Sequence, residues 1–143
     1  MLDGTMAIDI RGLCPLLQVY DMPKSLHFYR AVLGFDIVTR SRTYAVENGV
    51  ELFHWVLLRR ENTELMLNTA YDVGERPETR DRARETAHGD ARLFFGCPDV
   101  DAAYVHVRAH GVACPPPYNA WYGMRQLSFR DPDGYGITLQ WRV

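Results

Sequence analysis

One passage of this sequence is written twice, and that repeat limits the fold more than any single motif. A capped helix, a glycine and a resuming strand run from Asp21 to Thr39 and return from Asp99 at an offset of 77 residues. Gly111 falls on Gly34, Asp99 on Met22, Ala103 on Leu26 and Val112 on Phe35; the strand before each helix keeps register after a one-residue shift. With the hairpins that follow, each copy reads β-α-β-β-β. Such a unit buries one sheet face under its helix and leaves the other in need of a partner.

The local signals are specific. Cys14 to Tyr20 is a short apolar strand with Pro15 near its start, where a missing N–H is tolerated. Asp21 offers an N-cap and Pro23 falls in the first turn. Leu26, Tyr29 and Leu33, flanked by Phe28 and Val32, make a helical stripe that Gly34 stops. Phe35 to Thr39 resumes as a strand, and residues 40–50 are polar and turn-like around Glu47-Asn48-Gly49. FHWVLLRR and LMLNT then form a hairpin about Arg60–Thr63, which sets Arg59 opposite Glu64, Leu57 opposite Met66 and Trp55 opposite Asn68 on one face. In the second copy, Arg92 to Cys97 is a strand and Asp99 caps the helix VDAAYVHVRAH. Pro115-Pro116-Pro117 is a stiff linker. The closing hairpin pairs Met124–Arg130 with Gly136–Arg142 about Asp131-Pro132-Asp133-Gly134, where Pro presets one dihedral and Gly supplies a positive φ.

The fold class expected is α+β: tandem βαβββ modules forming a cupped, mostly antiparallel eight-stranded sheet with helices on the outside. Residues 1–143 make one domain, with modules at about 14–69 and 92–143 joined by a charged connection, 70–91, in which ETRDRARET admits a short helical turn. Residues 1–12 form a mixed lead-in without clear period. Their acids and the lack of an apolar core argue against a signal peptide.

Composition excludes several classes. The formal net charge of −2 does not suit a general nucleic-acid binder. No apolar run approaches the roughly 18 residues of a membrane span. Cys14, Cys97 and Cys114 are odd in number and widely spaced, which suits free thiols in a reducing, cytoplasmic setting. No Gly-rich phosphate loop and no Ser/His/Asp nucleophile motif is present.

The doubled pattern, together with DMPKSLHFYRAVLGF, PDVDAAYVHVRAHGV and YGMRQLSFRDPDGYGITLQW, resembles the vicinal oxygen chelate superfamily over about residues 14–142. That superfamily includes glyoxalase I, extradiol dioxygenases and the bleomycin- and fosfomycin-resistance proteins. Its enzymes hold a divalent ion with four side chains, usually His, Glu or Gln, on the cavity floor. Carried onto this sequence, the positions are Cys14, Glu64, Arg92 and Thr138, of which only Glu64 suits a hard cation. A guanidinium about 4 Å from a divalent ion costs roughly 8 kcal/mol at an effective dielectric of ~20. No metal and no cofactor is therefore expected. Glu64 is read first as a cross-strand partner of Arg59 or Arg92.

The metal-free pattern most resembles the bleomycin-resistance proteins, dimeric binders that sequester a drug without chemistry. The resemblance implies a homodimer that holds an aromatic or cationic antibiotic or metabolite. The expected ligand-binding residues are Gln18, Trp55, Glu64, Met66, Asn68, Phe94, Thr138 and Gln140 on the cupped sheet, beside Leu16 and Leu57, with Trp121 and Tyr122 in the polar entry loop PYNAWYGM. The alternative is a lyase, isomerase or dioxygenase whose metal ligands lie elsewhere. His106 and His110 stand at i, i+4, a spacing able to chelate zinc, but without a third ligand. They are read as a solvent-facing helix flank, His54 as pointing to the helix-covered face or to solvent, and Cys14 as core packing.

Overall fold

The computed structural model describes residues 7–143; residues 1–6 of the lead-in lie outside the described residues, and 7–15 form no strand. The first half runs β1 (Leu16–Val19), α1 (Met22–His27), a wider π turn (Phe28–Val32), β2 (Asp36–Arg40), β3 (Ala45–Glu47), β4 (Val50–Leu52), β5 (Trp55–Arg60) and β6 (Thr63–Thr69). The second runs α2 (Arg82–His88), β7 (Arg92–Gly96), α3 (Val100–Ala109), β8 (Tyr118–Asn119), β9 (Met124–Arg130) and β10 (Gly136–Arg142).

The architecture is α+β, with eight strands divided into two four-stranded sheets ordered β1-β6-β5-β2 and β7-β10-β9-β8. In each, the strand before the helix lies parallel to the last strand of its module, and the other pairings are antiparallel. The sheets are not hydrogen-bonded to each other within the chain. The helix caps fall where the sequence puts them: the Asp21 side chain accepts from the Lys24 N–H, Asp99 accepts from Ala102, and Gly34 ends the first helix at φ +80°.

One element differs from expectation. Residues 45–52 are a small hairpin and not just a turn, because Asn48 and Gly49 both take positive φ (52° and 78°), as a type I′ turn requires. In the charged connection, the helical turn that ETRDRARET admits is a helix over Arg82–His88, capped by the Asp81 carboxylate. Among the described residues no helix is long and apolar enough to cross a membrane.

One face of each sheet joins a core that both halves share. Leu17, Val56, Leu58 and Leu67 of the first sheet and Leu127, Phe129 and Ile137 of the second are buried in a single cluster with Phe28, Tyr29 and Val32 of the π turn and Val107 of α3. Edge-to-face ring pairs cross between the halves at Phe28–Phe129 and Phe35–Phe95.

A buried polar network then fixes the alignment. Asp131 Oδ1 accepts from the backbone N–H groups of Asp133 and Tyr135, both at 2.9 Å, and Oδ2 accepts from the Tyr29 hydroxyl at 2.6 Å. Asp133 accepts from the Tyr20 N–H at 2.8 Å, from Ser25 Oγ at 2.9 Å and from Arg80 at 3.4 Å. Tyr135 stacks on His88 at 4.1 Å, and its hydroxyl accepts from the Gln18 N–H at 3.2 Å. Thus the turn of the closing hairpin docks on β1 and α1 of the other half.

Candidate functional site: the two open sheet faces

Side chains alternate along a strand, so the residues between the core positions share the opposite face of each sheet. On the first sheet they form rows across β1, β6 and β5. Gln18, Asn68 and Trp55 make one row, and Leu16, Met66 and Leu57 the next. Glu64 faces Arg59 in the third, in the register the sequence predicts. On the second sheet the rows cross β7, β10 and β9: Gly96, Gln140 and Gln126; then Phe94, Thr138 and Ser128; then Arg92, Gly136 and Arg130. The two faces are counterparts, row for row.

Their chemistry differs. The first face is largely apolar, and its charges are matched: Nε and Nη2 of Arg59 both donate to Glu64 Oε2, at 3.1 and 2.7 Å. The second is a hydrogen-bonded floor. Tyr118 donates to Gln126 Oε1 at 2.9 Å, while Gln126 Nε2 donates to Gln140 Oε1 at 2.8 Å and to the Tyr122 hydroxyl. That fills the amide's main bonding positions and explains how Gln126 can be buried. In the next row Arg92 Nη1 donates to Thr138 Oγ1 at 3.0 Å, and Ser128 Oγ lies 2.9 Å from the same oxygen. Because the guanidinium only donates, the Thr138 hydroxyl proton is free to go to Ser128.

The structure therefore brings the expected site residues together in two groups. Gln18, Trp55, Glu64, Met66 and Asn68 share the first face; Phe94, Thr138 and Gln140 share the second, with Tyr122 reaching it through Gln126. Trp121 stands apart, 95% exposed and edge-on to Tyr122. Gln126, Ser128 and Tyr118 belong to the floor although the sequence does not single them out. Their signal was the alternation of Gln126 and Ser128 with Leu127 and Phe129.

Among the described residues, each face keeps an exposed apolar side chain. Phe94 is 54% and Leu16 43% exposed. Two cavities among the described residues lie away from these faces. One of about 410 Å³ lies between the β3–β4 hairpin and residues 71–76, and an apolar one of about 660 Å³ lies at the seam between the halves, beside Phe35, Phe95 and Cys97.

The four positions that resemble metal-ligand positions do not fit a divalent ion. Burial and the negative charge of Glu64 push the Cys14 thiol up, which disfavours the thiolate that ligates. Glu64 is engaged by Arg59, and Thr138 by Arg92. Among the described residues no three His, Cys, Asp or Glu side chains gather as a metal centre. The histidines have other partners: His106 Nε2 lies 3.1 Å from the Ala31 carbonyl of the first half, His110 Nδ1 lies 2.9 Å from the His106 carbonyl, and His54 stacks on Tyr44.

Residues 13–139 match the family model described as Glyoxalase/Bleomycin resistance protein/Dioxygenase superfamily. No curated protein matches the chain. Among solved structures it is similar to TnmS3, an antibiotic binding protein from Streptomyces sp. CB03234, at 24% identity and TM-score 0.66, covering 96% of this chain and all of that one. It is similar to a glyoxalase/bleomycin resistance protein from the same organism at 25% identity and TM-score 0.57, covering 90% and 97%. TioX from Micromonospora sp. ML1 gives 15% identity and TM-score 0.69, covering 93% and 99%.

Proposed function

The chain belongs to the Glyoxalase/Bleomycin resistance protein/Dioxygenase superfamily, and on that premise we propose that it is a metal-independent binding protein for a planar aromatic small molecule. The observation that carries this reading is the pair of row-matched, open faces, with an arginine–threonine hydrogen bond where the superfamily's enzymes would hold their ion. Such faces gain by covering a flat guest, since Trp55, Phe94 and Tyr122 each offer ring surface and the Gln126–Gln140 ladder offers polar edges. A cationic guest has less support, because Glu64, the carboxylate on these rows, is neutralised by Arg59.

In this reading the chain acts as one domain and as a homodimer in the cytoplasm. The first face of one copy meets the second face of the other, and the guest lies between them. The similarity to a structure titled as an antibiotic binding protein favours an antibiotic or related metabolite as the guest, sequestered without chemical change.

A thermal-shift screen of planar aromatic antibiotics, run beside light scattering and metal analysis, tests this. The expected result is a particle of twice the 16.5 kDa chain mass, stabilised by several degrees by at least one flat compound and much less so in Trp55→Ala. Stoichiometric divalent metal that disappears in Glu64→Gln would sink the metal-free reading. A monomer that still binds the guest would sink the shared site.

A further inference from the structure

The third row of the second face adds a charge that the binding reading does not use. Arg92 and Arg130 flank Gly136 in register on either side. Among the described residues neither has a carboxylate within salt-bridge distance, although six other pairs do form. Arg59, at the matching edge of the first face, is paired with Glu64. The Arg92 head is nevertheless held in place. Thr138, 2% exposed and itself bonded to Ser128, takes one N–H, and the guanidinium lies flat over Gly136. A Cβ built on Gly136 would come within 2.9 Å of Arg92 Cζ, so the missing side chain is what lets the head lie there. The ring of Phe94 stands in the next row, half exposed and in register with Thr138.

We infer that this row is an oxyanion subsite, and that the guest is a planar aromatic molecule carrying a carboxylate or ionised phenol. The acidic group sits on the outward N–H groups of Arg92 while the ring covers Phe94. The inference deepens the binding reading and rests on it. A guanidinium is matched to oxyanions by its planar fork of donors. Holding one in advance with a buried hydroxyl reduces the ordering cost when the guest arrives. Arg130 extends the positive row; its Nη1 donates to the Gly134 carbonyl at 2.9 Å.

Three isosteric probes separate charge from shape: 2-naphthoate, 2-naphthamide and 2-naphthylmethylammonium, titrated calorimetrically into the full chain. Naphthoate is expected to bind about tenfold or more tightly than the amide, and the ammonium most weakly. Raising salt from about 0.05 to 0.5 M should weaken naphthoate alone. Arg92→Gln should bring acid and amide to within about twofold. Gly136→Ala gives a second route that keeps the charge. Its φ is ordinary, and the atoms it displaces are the end of a flexible side chain, so the protein should fold while the acid preference falls. Equal binding of all three probes, lost in Phe94→Ala, would overturn the oxyanion subsite and leave the aromatic binder standing. Absence of binding by any probe at millimolar concentration would overturn both.

Discussion

Two hairpin turns occupy equivalent places in the repeat and do opposite work. The turn between β9 and β10 sends Asp131 and Asp133 into the other half, where they meet Tyr29, Ser25 and the Tyr20 N–H. Its counterpart between β5 and β6, at Glu61-Asn62, is exposed and borders the open seam cavity of about 660 Å³. The chain thus repeats its modules without repeating the contacts between them. One end is bolted and the other is left loose, which teaches that pseudo-symmetry of the strands constrains the turns very little.

The largest expected effect follows from removing the bolt. Asp133→Ala strips acceptors from Ser25, the Tyr20 N–H and Arg80 at a site 2% exposed, which should cost about 3–5 kcal/mol. Asn62→Ala on the opposite turn should stay within about 0.5 kcal/mol. Urea denaturation of both variants measures the contrast, and similar losses at the two turns would erase it.

Acid–base behaviour gives the next largest difference. Burial, reinforced by the neighbouring Asp133, lifts the Asp131 carboxyl from 3.8 to about 6 against the pull of its hydrogen bonds. The folded state then prefers the protonated form, worth about 3 kcal/mol. That contribution is complete below about pH 3.8 and lost as pH rises through about 6. Asn at this position can still accept from both backbone N–H groups and donate to the Tyr29 oxygen. The stability of the parent minus that of Asp131→Asn should therefore fall by about 2 kcal/mol between pH 4 and 7. A flat difference across that range would show that the carboxylate is not penalised.

Backbone geometry separates the turns further. Gly134 has φ +89°, and a Cβ there would lie 2.5 Å from the Glu85 carbonyl oxygen of α2. Gly134→Ala should cost about 2 kcal/mol or more, because the strained φ and the helix backbone both resist it. Loss of helix protection at Arg82–His88 in hydrogen exchange should accompany it; an undisturbed α2 would mean the turn and helix are not coupled.

What the sequence made legible follows the range of the interaction. The closing hairpin matches residue for residue, 124–130 and 136–142, because Pro132 and Gly134 set the turn and the turn sets the register. The Arg59–Glu64 pairing was legible from the alternation of the two flanking strands about a short polar connection. The bolt was not: Asp131 meets Tyr29 across 102 residues and Asp133 meets Tyr20 across 113, and Asp-Pro-Asp-Gly reads identically whether its carboxylates face water or a core. The openness of the two faces was hidden too, since strand alternation shows which residues share a face but not what covers it. The β3–β4 hairpin was a missed local signal, Asn48-Gly49 between Val46 and Val50.

The smallest expected effect runs in the stabilising direction and concerns the loose turn. Glu61 takes φ +53°, a left-handed conformation that costs an ordinary residue about 1 kcal/mol. Neither a buried partner nor a salt bridge holds its side chain among the described residues. Glu61→Gly removes the strain, and the greater freedom of glycine in the unfolded chain returns part of the gain, leaving about 0.5 kcal/mol of net stabilisation. The same direction of change at both turns is ruled out by this account: adding a side chain at Gly134 must weaken the protein, while removing one at Glu61 must strengthen it. Paired thermal melts decide the matter, and a destabilised Glu61→Gly would mean that the exposed turn is held by contacts of its own and is not the loose end of the repeat.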